Sequence, residues 1–535
     1  MTGPMRVPQL LIAIGVLIGL TACSTSSDAT DGGSIPTPSI PQLTSGYGYQ
    51  QGTSMATPYA VGVAAMIQSE NPSFTATDVL EEMLTKAAWA TEFTDNEYGF
   101  GIACTDKIMG LTTVCGEAPS GTVSSGPQRT VESVLGRCDA WMASNPFTTE
   151  AASHLISKAE GGDLKLADER LIVHFDRSQA PRLTTQDEFL RPQQLSALNQ
   201  KHGITSQWLT NDTIVVTSLS ADPWQTARNL LDDPSIDYVQ PNLLYEPMAN
   251  ERLDDQWAIT DFGVPSTWAA LEVKPGLGVD IAVIDSSFYV EHEDLVGRFS
   301  TNQWDFYAGD SDVSVPANTE GSLWQHGTHV AGIIASADNN VGIRGVASSA
   351  TLIPAKVFNN KGDTSDSITL IQAIQWVSGE SLSPSENPHP EPLSTPVDFI
   401  NLSLGFDDPQ TTSAAYDLAL HEAIGRAWEN GIVTFAAVGN ITKENPDPSS
   451  GVLPPANGPC TIAVGSVDHG YNRSAFSRYA TGFEVLVDIM APGGTYTDVE
   501  PPGILSTVPV VVSPAQLPLQ DSTLETRPSP SLPLR

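Results

Sequence analysis

A chain of 535 residues exceeds one hydrophobic core, so two or three globular units with linkers are expected. Its 25 Lys and Arg against 62 Asp and Glu leave a net charge of −37, which excludes nucleic acid as a partner and gives no attraction to anionic lipid. So much acid reads as a solvated surface, a salt- or calcium-adapted exterior being the sharper alternative.

The first 23 residues carry one cation, Arg6, then an apolar run over 10–20, then Leu20-Thr21-Ala22-Cys23. This is a secretory signal pattern, and the run is too short to cross a bilayer as a mature helix. Its end resembles the lipobox of bacterial lipoproteins. That implies that Cys23 becomes the lipidated first residue and anchors the protein to a membrane, Ser24 favouring the outer membrane of the cell envelope. With an ordinary cleaved signal the protein would be secreted instead. Export implies an oxidising compartment, in which Cys104, Cys115, Cys138 and Cys460 suffice for two disulfides. Three pairings are open, and the short loop favours Cys104 with Cys115.

Residues 24–45, rich in Ser, Thr, Pro and Gly, read as a flexible tether. A slim helix is expected over 53–68, where Ala56, Ala60, Gly62, Ala64 and Ala65 permit close packing, and Asn71-Pro72 ends it. Thr75 and Asp78 have capping-box spacing ahead of a second amphipathic helix. Residues 111–167 read as a linker. Over 168–248, strand-like 171–175, 213–217 and 236–239 alternate with helical 189–201 and 224–231, giving a small α+β, ferredoxin-like unit.

Beyond residue 278 the apolar runs 279–284, 351–357, 398–403, 432–437 and 460–464 are continuous rather than alternating, the mark of strands covered on both faces. With helices over 368–377 and 414–430, the second closed by Gly431, they define an α/β fold with a doubly wound parallel sheet. The Pro-rich residues 508–535 are expected to be disordered.

Four positions carry chemistry. Asp285 ends the first buried strand, where open α/β sheets gather their catalytic groups, although a lone strand-end Asp is as readily structural. In Trp324-Gln325-His326-Gly327-Thr328-His329, the first imidazole opens a small-residue helix and can face a cleft; His329, one turn on, reads as a packed neighbour. Two histidines three apart lack a third zinc ligand at the spacing a zinc protease needs. Asn440, after Ala437-Val438-Gly439, offers a side-chain amide at another strand end, able to donate to a developing oxyanion. Ser54 stands at a helix N-terminus, where free N–H groups favour negative charge.

Together the stretches VIDSS, WQHGTH, AAVGN and GTSMATP resemble the subtilisin-like serine proteases, the subtilases, over residues 46–110 and 250–507. The resemblance implies a serine endopeptidase acting on protein or peptide substrates without a required cofactor. It assigns Ser54 as nucleophile, His326 as general base and then acid, Asp285 as the group orienting the imidazole, and Asn440 as oxyanion donor. It also implies that Ser403, Leu404 and Gly405 form the edge on which a substrate lies extended. Asp294 and Asn339 match positions that bind structural calcium in many subtilases. Ser287 stands where the family has glycine, and Tyr59 where it has histidine. A rival reading is an inactive, surface-displayed scaffold lipoprotein on the same fold.

The order of the motifs departs from the family, which runs Asp, His, Ser, whereas this chain runs Ser, Asp, His. Residue 507 should therefore abut residue 46, and the sequence reads as a circular permutation. The stretch Asp233 to Asn242 resembles the end of a subtilase inhibitory propeptide. That makes residues 168–248 an internal partner of the catalytic part.

Overall fold

The computed structural model describes residues 42–512 apart from 88–97, 112–130, 144–148, 162–165, 176–190, 211, 220–221, 248–249, 252–255, 315–322, 340–341, 383–387, 407–416, 443–445, 481–486 and 496–502. In chain order the elements are β1 (Gln42–Gln51), α1 (Thr53–Glu70), α2 (Ala76–Thr85), α3 (Thr105–Ile108), α4 (Val131–Ala143), α5 (Thr149–Glu160), β2 (Leu166–Phe175), α6 (Arg191–His202), β3 (Ile204–Trp208), β4 (Thr213–Leu219), α7 (Pro223–Leu231), β5 (Ile236–Pro247) and β6 (Asn250–Glu251). They continue with α8 (Trp257–Thr260), α9 (Val264–Ala270), β7 (Asp280–Asp285), β8 (Trp304–Asp305), α10 (His326–Ala335), β9 (Thr351–Lys356), β10 (Ser365–Asp366), α11 (Ser367–Val377), β11 (Phe399–Leu402), β12 (Leu404–Gly405), α12 (Leu418–Glu429), β13 (Val433–Ala437), β14 (Thr461–Val467), β15 (Ile489–Pro492) and β16 (Ile504–Val512).

The continuous apolar runs become the main sheet, seven strands in the order β15-β14-β13-β11-β7-β9-β8, all parallel. Its strands are buried on both faces, with α1 and α10 packed side by side in one layer and α11 and α12 in the other. Helix α1 is almost wholly buried, as its alanines and glycine predict, and α2 carries the Thr75–Asp78 capping box. Gly431 has φ 82°, the left-handed turn that ends α12.

A second sheet runs β10-β5-β2-β4-β3, with β12 also on β5. Its β2-α6-β3-β4-α7-β5 sequence and antiparallel β5-β2-β4-β3 order are the split βαβ arrangement. Tyr238, Gln240 and Asn242 alternate along β5, so all three face the layer of α11 and α12. Tyr238 Oη donates to Glu422 Oε2 (2.7 Å), Gln240 binds Asp417 Oδ1 (2.8 Å) and the Ala419 N–H (2.9 Å), and Asn242 Oδ1 accepts from Ile368 N (3.4 Å). Two of these contacts cap the N-termini of α11 and α12.

A third sheet, β16-β1-β6, places Gly46 opposite Val508 and Tyr47 opposite Thr507. The expected abutment of residues 46 and 507 is thus an antiparallel ribbon. His329 of α10 clasps it, its Nε2 lying 3.1 Å from Gly48 O and 3.0 Å from Ile504 O. His292 Nε2 also meets Gly46 O at 2.7 Å.

Three segment boundaries differ from the sequence expectation. Residues 508–512 are not tail but the end of β16, and residues 42–45 of the expected tether belong to β1. Residues 111–167 are not simply linker, because α4 and α5 lie within them. Helix α5 packs on β5 and α7 and extends the α+β unit toward the N-terminus, whereas α4 is fastened to the main sheet. Arg137 of α4 forms a two-pronged pair with Asp488 (2.9 and 3.1 Å), and Cys138 is disulfide-bonded to Cys460, at the start of β14. Cys104 is also disulfide-bonded, and Cys115, its expected partner, lies outside the described residues, as do Cys23 and the signal segment. Among the described residues no helix is long and apolar enough to cross a membrane.

Candidate active site

Parallel strands converge their C-terminal ends on one edge of the sheet, and there the candidate residues collect. Asp285 is the last residue of β7, Ser403 follows β11, and Asn440 comes three residues after β13, these being adjacent strands. Ser54 and His326 lie in the first turns of α1 and α10, which pack against one another.

His326 Nδ1 is 2.7 Å from Asp285 Oδ1, and both side chains are fully buried. The Ser286 N–H donates to the same carboxylate oxygen (2.6 Å), and Ser286 Oγ accepts from Gly327 N (2.9 Å), tying the start of α10 to the end of β7. With Nδ1 on the carboxylate, Nε2 points the opposite way and has no hydrogen-bond partner among the described residues. Ser287, at the family's glycine position, is buried without a left-handed backbone.

Asn440 is held by Thr53, the residue before Ser54. Its Oδ1 accepts from Thr53 N (3.0 Å) and Thr53 Oγ1 (3.2 Å), while Thr53 Oγ1 accepts from Gly439 N (3.2 Å). Anchoring the carbonyl end fixes the plane of the amide and therefore the direction of its nitrogen. Gly439 has φ 96° and leaves no room for a Cβ against Leu453, so the turn that presents Asn440 requires glycine. Buried Arg478 adds a bond from Nε to Asn440 O at 2.8 Å.

The start of α1 has its own support. Pro58 cannot donate to the Ser54 carbonyl four residues earlier, and Ser403 Oγ donates to it instead (2.9 Å). Gly52, with φ 149°, turns the chain from β1 into the helix. Sequence reasoning did not find Thr53, Ser286, Arg478 or this role of Ser403, because each acts through another residue.

Leu404 and Gly405 form β12 and pair with Pro247 and Glu246, while β10 pairs with Tyr245 and Leu244. The end of β5 is thus an extended strand lying between β10 and β12. Strand β6 then pairs with Gln50 and Gln51, just before α1. Tyr59 packs edge-on against Phe262 within the core, 5.9 Å between centroids. His329 is buried, and desolvation followed by the charge of His326 pushes its pKa down to about 3, which keeps it neutral.

Asp294 is buried, with Oδ1 accepting from Asn339 Nδ2 (3.1 Å) and Oδ2 from Ile343 N (2.8 Å). Both carboxylate oxygens face N–H donors. A calcium ion would fit this pair only with the Asn339 amide turned to present its oxygen.

The sequence model of the subtilase family, Peptidase S8, matches residues 19–101 and 276–528. Subtilisin amylosacchariticus of Bacillus subtilis subsp. amylosacchariticus is 31% identical over 277 residues, covering 51% of this chain and 62% of its own. The alkaline protease of Shouchella clausii is 29% identical over 311 residues, covering 57% and 69%. Among solved structures, the epidermin leader peptide processing serine protease (EpiP) of Staphylococcus aureus aligns with a TM-score of 0.42 at 19% identity, over 61% of this chain and 75% of that one. The chain spans about three fifths of the length of the subtilisin it matches. Matched in two blocks that together exceed half its length, the chain belongs to the subtilase family.

Proposed function

We propose that the protein is a serine endopeptidase in which Ser54 attacks the scissile carbonyl. His326 Nε2 accepts the serine proton and later returns it to the leaving amine, and Asp285 orients and stabilises the imidazolium. Asn440 donates from its amide nitrogen to the oxyanion. The observation that carries this reading is the fully buried Asp285–His326 hydrogen bond, on the same sheet edge as Asn440 and Ser403. Protein or peptide substrates are read mainly through main-chain pairing with residues 403–405, and that reading is supported by the chain's own β5, which already pairs there as an extended strand.

The unit over 168–248 is proposed to act as an internal inhibitor, its last strand lying in the substrate's place. The Ser, Asp, His order is proposed to be a circular permutation, supported by the ribbon that sets β16 beside β1. Self-cutting is proposed near Glu246 to Asp255, a reading supported by the pairing of β5 with β12 just before this stretch and of β6 with β1 within it. The cut would leave Ser54 on one fragment and Asp285 and His326 on the other, with Cys138–Cys460 joining the two. Cys23 is proposed to anchor the serine-bearing fragment in the envelope. A structural calcium between Asp294 and Asn339 completes the proposal.

A fluorophosphonate probe tests the nucleophile. Labelling is expected for the wild type and lost in Ser54→Ala and His326→Ala; equal labelling of all three, or of none, would favour the inactive scaffold. Asn440→Ala is expected to lower kcat by about 100- to 1,000-fold with little change in KM, since its bond strengthens only in the transition state. A raised KM with normal kcat would make Asn440 a substrate-binding residue instead. Processing is tested on denaturing gels: the active protein should run as one band without reductant and two with it, and Ser54→Ala as one band in both. An uncut, fully active chain would sink the processing idea alone, and a Cys23→Ala variant should leave the membrane pellet. For calcium, EGTA should lower the Tm of the wild type but not of Asp294→Asn; equal melting of both, with and without chelator, would remove the ion.

A further inference from the structure

Away from the catalytic edge, one buried histidine lies among carboxylates that no catalytic step uses. His174, near the end of β2, is 1% exposed, and neither ring nitrogen makes a hydrogen bond among the described residues. Its Nε2 lies 3.3 Å from Asp212 Oδ2, beside β4, and 3.3 Å from Glu422 Oε1 on α12. The three donor groups can all lie within 4.8 Å of one another. We propose that His174, Asp212 and Glu422 bind a divalent transition cation, zinc by preference, at the seam between the α+β unit and the catalytic part.

The distances favour a metal over a simple ion pair. A charged imidazole hydrogen-bonded to a buried carboxylate closes to about 2.7–2.9 Å, whereas here both contacts are longer and misaligned. In a tetrahedral zinc shell with bonds of about 2.0–2.1 Å, neighbouring donors stand about 3.3 Å apart, the spacing found on both sides of Nε2. The outer contacts suit a ligand as well. Nδ1 faces Asp237 Oδ2 at 3.6 Å, the side on which metal-bound histidines keep a carboxylate. The ring stacks on Tyr238 at 4.9 Å, and the Tyr238 hydroxyl holds Glu422 Oε2, leaving Oε1 toward His174. Thr210 Oγ1 holds the other oxygen of Asp212 at 2.7 Å.

Charge balance points the same way. Asp212, Glu422 and Glu380 lie about Arg426, whose Nη1 also reaches Glu422 Oε1 at 3.2 Å, and Asp237 faces the other nitrogen of His174. Buried carboxylates need compensation, and a dication supplies twice that of one proton. Desolvation opposes charge on the His174 ring, but Glu422, Asp212 and Asp237 outweigh it and hold its pKa well above the usual value. A proton is therefore the competitor for Nε2, and metal binding would displace it into solvent.

The site would pin β2 and the turn before β4 to α12, and with them the strand β5 that enters the cleft. That consequence rests on the protease reading; the metal site does not. The test uses the full chain, stripped with chelator at pH 8 and titrated with Co²⁺ and Zn²⁺. One equivalent should bind, with the intense visible absorption of four-coordinate cobalt, and affinity should fall by more than about 100-fold in His174→Gln. Asp212→Asn, nearer the surface, should also lose the cobalt spectrum and guards against a His174→Gln chain that fails to fold. Absence of that absorption in the wild type, or an unchanged spectrum and stoichiometry in both variants, would overturn the site. So would a His174 ring that titrates by NMR while no cobalt binds. Chelation should also raise peptide hydrolysis; bound metal with unaltered hydrolysis would remove the clamp and leave the site.

Discussion

The antiparallel pairing of β1 with β16 is the constraint on which the arrangement depends. It brings the segment that leads into α1 against the segment that follows the parallel sheet, and so aims the N-terminus of α1, with Ser54, at the edge where Asp285 and Asn440 stand. His329 makes that pairing part of the core by bonding to a carbonyl of each strand, and Ser506 and Thr507 return bonds to the carbonyls of His329 and Thr328. A buried, neutral imidazole is a donor that ordinary pH does not remove. Helix α10 thereby has two tasks, presenting His326 at its first turn and holding the ribbon one turn later.

The α+β unit docks by the same economy of alternation. Tyr238, Gln240 and Asn242 of β5 turn toward the layer of α11 and α12, and the last two complete hydrogen bonds that those helices cannot satisfy within themselves. The interface is therefore polar and buried, and its specificity resides in matched donors and acceptors. The strand that makes these bonds continues between β10 and β12, so docking of the unit and pairing with both strands are one event.

The parallel sheet was legible because strands covered on both faces must be apolar throughout, and β7, β9, β11, β13 and β14 fall within a residue or two of the runs at 279, 351, 398, 432 and 460. Asp285, His326 and Asn440 were legible because each stands at an element end, where local signals are strongest. Strand β1 was not, because its first residues read as tether, and Gly46 and Gly48 are there to let Val510 and Val508 of β16 approach, a partner more than 450 residues away. Helices α4 and α5 were hidden in a stretch without strong periodicity; α4 gains its stability from tertiary anchors, the Arg137 pair and the Cys138 disulfide, and α5 from packing on β5 and α7. His174 gave no signal at all. Within Leu-Ile-Val-His-Phe it looks like one polar residue in a strand, and its neighbours come from positions 212 and 422.

The strand proposed to lie in the substrate's place, β5, and the helix that carries Ser54, α1, lie on the same side of the proposed cut along the chain. An inhibitor released as a separate piece is lost on dilution and can be destroyed in solution. Here the proposed cut near Glu246 to Asp255 would leave β5 tethered to the helix that carries Ser54, at an effective concentration fixed by the intervening chain rather than by the surroundings. Such an enzyme would gain activity only as fast as the strand could be loosened or digested in place, and dilution alone would never switch it on.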